Sequence, residues 1–248
     1  MKLACASTSF DRAFQNGDLT QLEWLDLCAR ELAADGVVCD VRHFPRRDSD
    51  YLAQIKKIAA DSGLTLAALW SEDFFASDEP SMQSALTIAE QIGAPLLSAP
   101  MQSELQTSWV EAMQRVGNAV RLAKTINVTL AARNRADTLI VGGHQLRRLS
   151  KESDSAWLRY GIDVDALDAA SDPAELLDRT VLLWHAHEES EIDSDEFPKT
   201  RRTLDLAEHF HGFLAIEIAD GAANAAMMRS ALRKWRTMIA EDLLGAGL

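Results

Sequence analysis

The sequence predicts an α/β fold, a single (β/α)8 TIM barrel formed by residues 1–248 as one domain. Three observations predict it. Short apolar runs alternate with helical patterns along the whole chain, a rhythm that builds a parallel sheet with helical crossovers. Eight such runs occur with no break in composition, which favours closure of the sheet over an open one. The length, 248 residues, is close to the ~250 residues of one such barrel.

The strand candidates are residues 3–9, 37–41, 64–70, 95–99, 128–133, 160–164, 181–187 and 213–218. Each crossover carries its own start and stop signals. Thr20 and Glu23 have capping-box spacing, Leu22, Leu25, Ala29 and Leu32 follow as an apolar stripe, and Gly36 ends the unit. Asp50 is expected to open the next helix, with Leu52, Ile55 and Ile58 inward and Gly63 as its stop. Asp78 and Pro80 open a third, closed at Gly93. Trp109, Met113, Val116, Val120, Ala123 and Ile126 form a long stripe, and a final helix over 223–244 carries Met227, Ala231, Trp235, Met238 and Ile239. The segments between strands five and seven are weakly patterned and are expected to hold short helices. Residues 188–196 are strongly acidic.

Composition narrows the functional classes. The net charge of −13 gives no global field for a polyphosphate backbone, so nucleic acid is not an expected partner. No apolar run reaches the ~20 residues that span a bilayer, so no membrane partner is expected. The start reads as a strand and lacks the apolar core of a signal peptide. Cys5, Cys28 and Cys39 are odd in number and form no CxxC, which fits free buried thiols in a reducing cytoplasm.

In such a barrel the working residues lie at the strand C-termini. The polar residues there include Asp40, Arg42, His43, Glu72, Asp73, Arg133, Asn134, Asp163, His185, His187 and Glu217. His185 and His187 share a strand face, and either serves a metal or a substrate, or pairs with a carboxylate. Asp163 and Glu217 end apolar strands, where an unpaired carboxylate is costly. Each is a metal ligand, base or hydroxyl acceptor, or one half of a structural ion pair. Residues 42–47, RHFPRR, are basic in an acidic chain. They are expected to rim the mouth, where Arg42 and His43 would suit an anionic substrate group, or to form a solvated charge run. His209 and His211 belong to the opposite end of the barrel and read as structural.

The segments LACASTSFD, DGVVCDVRHFP, SGLTLAALWSEDFF, QIGAPLLSAP and GFLAIEIADG, in this order and spacing, resemble the sugar phosphate isomerase/epimerase group, the xylose-isomerase-like TIM barrels. That resemblance implies a small carbohydrate-like substrate and a divalent metal (Mn, Mg or Zn) in the mouth. Its ligands end strands five to eight, and two Glu residues move protons between neighbouring carbons. Carried over by position, the ligands would be Asp163, His185 or His187, and Glu217. Strand five departs from the pattern, because Arg133 precedes Asn134 where the family has Glu. A guanidinium repels a cation, so the resemblance implies a degenerate site with no metal or a weakly bound one. Two functions follow. One is an isomerase or epimerase with Glu217, Arg133 and Asp163 catalytic and His185, His187, Arg42, His43 and Asn134 binding substrate. The other is an inactive barrel that binds a ligand or a protein.

Overall fold

A computed structural model describes residues 1–102, 108–168, 171–188, 200–206 and 209–245. Eight parallel strands close into a barrel in sequential order. They are β1 Lys2–Ala6, β2 Gly36–Asp40, β3 Thr65–Trp70, β4 Leu96–Pro100, β5 Thr129–Arg133, β6 Leu158–Asp163, β7 Thr180–His187 and β8 Phe213–Ile218. The barrel closes through β1 and β8, in register from Lys2 opposite Phe213 to Cys5 opposite Ile216. The surrounding helices are α1 Asp11–Asn16, α2 Gln21–Arg30, α3 Ser49–Asp61, α4 Glu79–Ile92, α5 Trp109–Ile126, α6 Gly143–Ser153, α7 Thr200–Leu204 and α8 Ala225–Gly245.

The caps explain the helix boundaries. Thr20 and Glu23 form the reciprocal capping box of α2, and Asp78 accepts from the Ser81 N–H to start α4. Gly93 ends α4 at φ 82°, a left-handed conformation that glycine adopts without steric cost. The start of α3 differs from expectation. Asp48, not Asp50, is its N-cap and accepts from the Tyr51 N–H, which leaves Asp50 in the first turn, where a carboxylate favours the helix dipole. In α2 the buried residues are Gln21, Trp24, Leu25 and Cys28, so the inward stripe is rotated from the expected one. Between β6 and β7 the described residues contain a 3-10 turn, Pro173–Arg179. Of the acidic stretch, residues 189–196 lie outside the described residues.

Two apolar layers form. The larger packs the outer strand faces against the helices and includes Leu3, Cys5, Leu69, Ile162, Leu183, Ile216 and Trp235. The smaller fills the lumen with Ala4, Ala6, Val38, Ala67, Ala68, Trp70, Leu182, Trp184 and Ala215. Alanines on β1, β3 and β8 leave room in that narrow space for two indoles. Gly36 is sterically required, since a Cβ there would lie 2.7 Å from the Phe213 ring and 2.8 Å from the Thr65 carbonyl. Cys5, Cys28 and Cys39 are buried and free, and burial pushes the thiol pKa of Cys28 and of Cys39 up. No helix among the described residues is long and apolar enough to cross a membrane.

Candidate functional site

Strand β5 ends on Arg133, whose side chain is only 4% exposed. Parity with Thr129 and Ala131 turns it into the lumen, while Leu130 and Ala132 join the outer layer. Its Nη2 donates to Asp163 Oδ2 at 2.8 Å and to Glu217 Oε2 at 2.8 Å. The guanidinium carbon lies 4.0 Å from the Trp184 ring centre and 5.3 Å from that of Trp70, so two indole faces add cation–π attraction in a desolvated space. Thr8, in the turn after β1, donates its hydroxyl to Glu217 Oε1 at 2.6 Å. Both carboxylate oxygens of Glu217 are therefore engaged.

Burial acts against every charge here, and pairing outweighs it. For Arg133, desolvation lowers the pKa, but the charges and hydrogen bonds of Glu217 and Asp163 raise it further above its ordinary value. For Glu217, burial raises the pKa, while the Arg133 charge and the Thr8 and Arg133 hydrogen bonds hold the carboxyl below the usual range. Asn134 has a different task. Its Nδ2 donates to the Asp163 carbonyl at 2.9 Å and its Oδ1 accepts from the Asp163 N–H at 2.8 Å. It thus ties the ends of β5 and β6 together and fixes the carboxylate beside Arg133.

His185 and His187 lie on the other face of their strand. Leu182 and Trp184 fill the lumen, so alternation sends Leu183, His185 and His187 outward against α8. The Trp235 indole N–H donates to His187 Nε2 at 2.8 Å. The His185 and Trp235 ring centres are 4.8 Å apart. His185 Nδ1 lies 2.7 Å from Asp165 Oδ2, an ion-pair distance whose angles do not make a hydrogen bond. Neither imidazole is brought to Arg133, Asp163 and Glu217.

In the basic turn after β2, Arg42, His43 and Arg46 are paired with carboxylates of this chain. Arg42 binds Asp40 through Nε at 2.9 Å and Nη2 at 2.6 Å, and reaches Asp11 at 3.1 Å. His43 stacks on Phe14 with ring centres 3.9 Å apart. Its Nε2 meets Asp11 Oδ1 at 2.7 Å and its Nδ1 meets Ser7 Oγ at 2.9 Å. For Asp11, burial raises the pKa, but His43 and Arg42 pull it below its ordinary value. Arg46 pairs with Asp48 on the surface at 2.9 Å. On the rim, Arg135 bonds Glu72 at 2.7 Å and Asp137 at 2.8 Å, and Gln102 also donates to Glu72. His209 and His211 sit at the strand N-termini, beside Thr65, Pro95 and Phe213.

Neither a family model nor a curated protein sequence matches the chain. Solved structures do match its fold. L-ribulose 3-epimerase superposes with a TM-score of 0.75 at 13% identity, over 99% of this chain and 97% of that one. A xylose isomerase domain protein from Planctomyces limnophilus gives 0.71 at 11% identity, over 88% of this chain and 93% of that one. A probable 3-DHS dehydratase from Bacillus anthracis gives 0.73 at 13% identity, over 96% and 99%. The chain has the xylose-isomerase-like TIM-barrel fold. Identities this low speak for the fold and not for the reaction.

The mouth of this xylose-isomerase-like barrel does not fit the divalent metal its resemblance implies. A guanidinium nitrogen already lies 2.8 Å from each of the two carboxylates that would hold the ion, and the strand-seven imidazoles face the helices. A second group, Asp11, Asp40 and His43, forms a candidate but incomplete metal-binding triad, with one ligand atom from each within 4.8 Å of the others. Arg42 already binds both of its carboxylates, so a cation there would have to displace a paired arginine.

Several of these residues carry no signal in the sequence. Thr8 lies in a segment read as strand, and it reaches the mouth because the chain leaves β1 at Ala6 and coils. Asp11 opens a short helix that the apolar pattern does not announce. Trp70 and Trp184 look like ordinary core, and only their place beside Arg133 distinguishes them.

Proposed function

We propose that the protein acts on a small carbohydrate or polyol by moving a proton next to a carbonyl, with the Arg133 guanidinium in place of a divalent cation. The observation that carries this reading is the position of Arg133, with one nitrogen 2.8 Å from Asp163 and 2.8 Å from Glu217. A fixed cation in a desolvated mouth stabilises negative charge that develops on a substrate oxygen. Glu217 is the proton acceptor. The C–H electron pair forms a C=C bond to the carbonyl carbon and the carbonyl π pair moves onto the oxygen, giving an enediolate held by Arg133. Delivery of a proton to the opposite face of the same carbon, from a second acid, completes epimerisation; return of the proton to the neighbouring carbon, with the hydroxyl proton moved to the other oxygen, completes isomerisation. At rest Glu217 is a weak base because Arg133 holds it. A substrate oxygen that draws the guanidinium away weakens that hold, so basicity rises as the substrate binds. The fold match to L-ribulose 3-epimerase supports this class, and that to a probable dehydratase shows why the exact substrate is a separate question.

One observation favours a second reading, a catalytically inactive barrel that binds a ligand or a protein. Both Glu217 oxygens are engaged and its carboxyl is held below the usual range, which suits a structural ion cluster. Solvent-deuterium exchange separates the two. L-ribulose and D-xylose are incubated with chelator-treated protein in heavy water, and carbon-bound deuterium is followed by NMR. Exchange that persists without metal and disappears in Glu217→Gln is expected. Sugar binding without exchange would favour the inactive barrel. Calorimetric titration with Mn²⁺ tests the guanidinium separately. Arg133→Glu is expected to raise Mn²⁺ affinity at least tenfold, and tight binding by the unaltered protein through Asp163 and Glu217 would overturn the reading.

A further inference from the structure

A small polar cavity of about 210 Å³ lies between the turn after β2 and the first turns of α4. It is separate from the Arg133 cluster, and most of the residues around it carry polar side chains. Arg42, Arg47, Ser71, Asp73, Ser81 and Ser84 are among its walls. Ser81 and Ser84 are three residues apart and so share one face of α4.

Ser71 is the informative wall. It is 8% exposed, and its main chain is fully used, with its N–H on the Ser98 carbonyl at 3.1 Å and its carbonyl accepting from Phe74 at 3.3 Å. Its hydroxyl has no partner among the described residues. That hydroxyl is not sealed from solvent, and the cavity that Ser71 lines is the space from which a partner can come. Two charged walls are also unspent. Arg47 makes one long bond, Nη2 to the Val41 carbonyl at 3.3 Å, and neither Arg47 nor Asp73 forms an ion pair among the described residues.

Charge decides what would fit. Arg42 is neutralised by Asp40 and Asp11, and Glu72, also in the wall, by Arg135. What remains is one cation, Arg47, one anion, Asp73, and several hydroxyls. The sum is zero, with donors and acceptors both present. A phosphate would meet the Asp73 carboxylate and a metal ion would meet the Arg47 guanidinium. A molecule rich in hydroxyl groups, each able to donate and accept, suits all of them. The volume is below the ~300–1,000 Å³ of drug-sized sites, so the occupant is a single small unit.

We propose that this cavity binds a small uncharged polyol, or one sugar ring of a longer carbohydrate, apart from the reacting centre. It opens at the strand C-termini, the same end as the mouth, but it does not depend on the reaction proposed there. The test is an NMR titration of the full chain with xylitol, with inorganic phosphate in a parallel arm. Backbone amides of Ser71, Asp73 and Ser84 are expected to shift and saturate with xylitol and not with phosphate. Ser84→Leu, at an exposed helical position, places apolar bulk in the cavity and is expected to weaken those shifts at least tenfold. Asp73→Asn, which keeps the size and removes the charge, is expected to weaken them less. Glu217→Gln, which tests the mouth, is expected to leave them unchanged. Saturation by phosphate in preference to xylitol would overturn the proposal. So would xylitol shifts confined to the surroundings of Arg133, shifts that survive Ser84→Leu, or no saturable shift at all.

Discussion

Arg133 and Arg42 each bridge two carboxylates, but in opposite surroundings. Arg133 sits in the lumen with its side chain 4% exposed, and its partners Asp163 and Glu217 are 7% and 16% exposed. Arg42 lies at the end of β2 with 49% of its side chain exposed, and it links buried Asp40 to Asp11, which is 22% exposed. The distances are alike, from 2.6 to 3.1 Å. What differs is the replacement available when a partner is lost. Water can solvate Asp11 in place of Arg42. In the lumen, Arg133 is the only cation paired with Asp163 and Glu217 among the described residues, their other oxygens accepting from the Ala166 N–H and the Thr8 hydroxyl, and the indoles of Trp70 and Trp184 occupy the neighbouring space. The Arg42–Asp11 arm is thus a tolerant contact near the surface, while the bridge in the lumen is an obligatory core element.

The sharpest way to break this contrast is Arg133→Met. Removing one member of a buried ion cluster leaves uncompensated charge and costs about 3–5 kcal/mol. Urea unfolding at neutral pH should show that loss, and adding Asp163→Asn and Glu217→Gln in the same chain should recover much of it. A loss under 1 kcal/mol would mean that water reaches the lumen carboxylates. Acid sharpens the same point. Glu217 has its folded pKa depressed, so its stabilisation is present above the unfolded value, about 4.3, and is lost as pH falls through the lower folded value. The acid limb of the stability curve should therefore be shallower in Glu217→Gln.

Thr8→Val is the next largest. It removes a hydrogen bond to an ionised carboxylate, worth about 1.5–3 kcal/mol, at nearly constant volume. The Glu217 carboxyl pKa, followed by carbon-13 NMR, should rise as well. An unchanged titration would show that Arg133 alone sets the carboxyl. The smallest effect is expected for Asp11→Asn in the exposed bridge, within about 1 kcal/mol and reduced further by salt. A loss comparable to that of Arg133→Met would erase the distinction between the two bridges.

Much of the fold was legible because its signals are local. The capping residues Thr20, Glu23 and Asp78 act within one turn, and the order of eight apolar runs matches the strand order of the closed barrel. That Asp163 and Glu217 need partners was also legible, from the cost of an unpaired carboxylate at the end of an apolar strand. The outward direction of His185 and His187 was not. Their shared face could be read, but which face it was depended on Trp184, and the β6–β7 pairing shifts register between Tyr160 and Gly161. The pairing of the basic turn was not legible either, because Asp11, about one strand–helix unit upstream in the chain, folds back onto Arg42 and His43.

The sequence by itself determined the alternation of strands and helices, the small residues that line the lumen, and the cation Arg133 at the end of strand five. Those properties follow from side-chain chemistry and from spacings within one element. Tertiary structure decided which side of β7 faces the lumen, that Thr8 leaves its strand to reach Glu217, and that Arg42 is already paired. Each depends on closure of the barrel, which sets β1 beside β8 and fixes partners 209 residues apart, such as Thr8 and Glu217. A one-residue change of register would reverse every such assignment, and no local pattern specifies it.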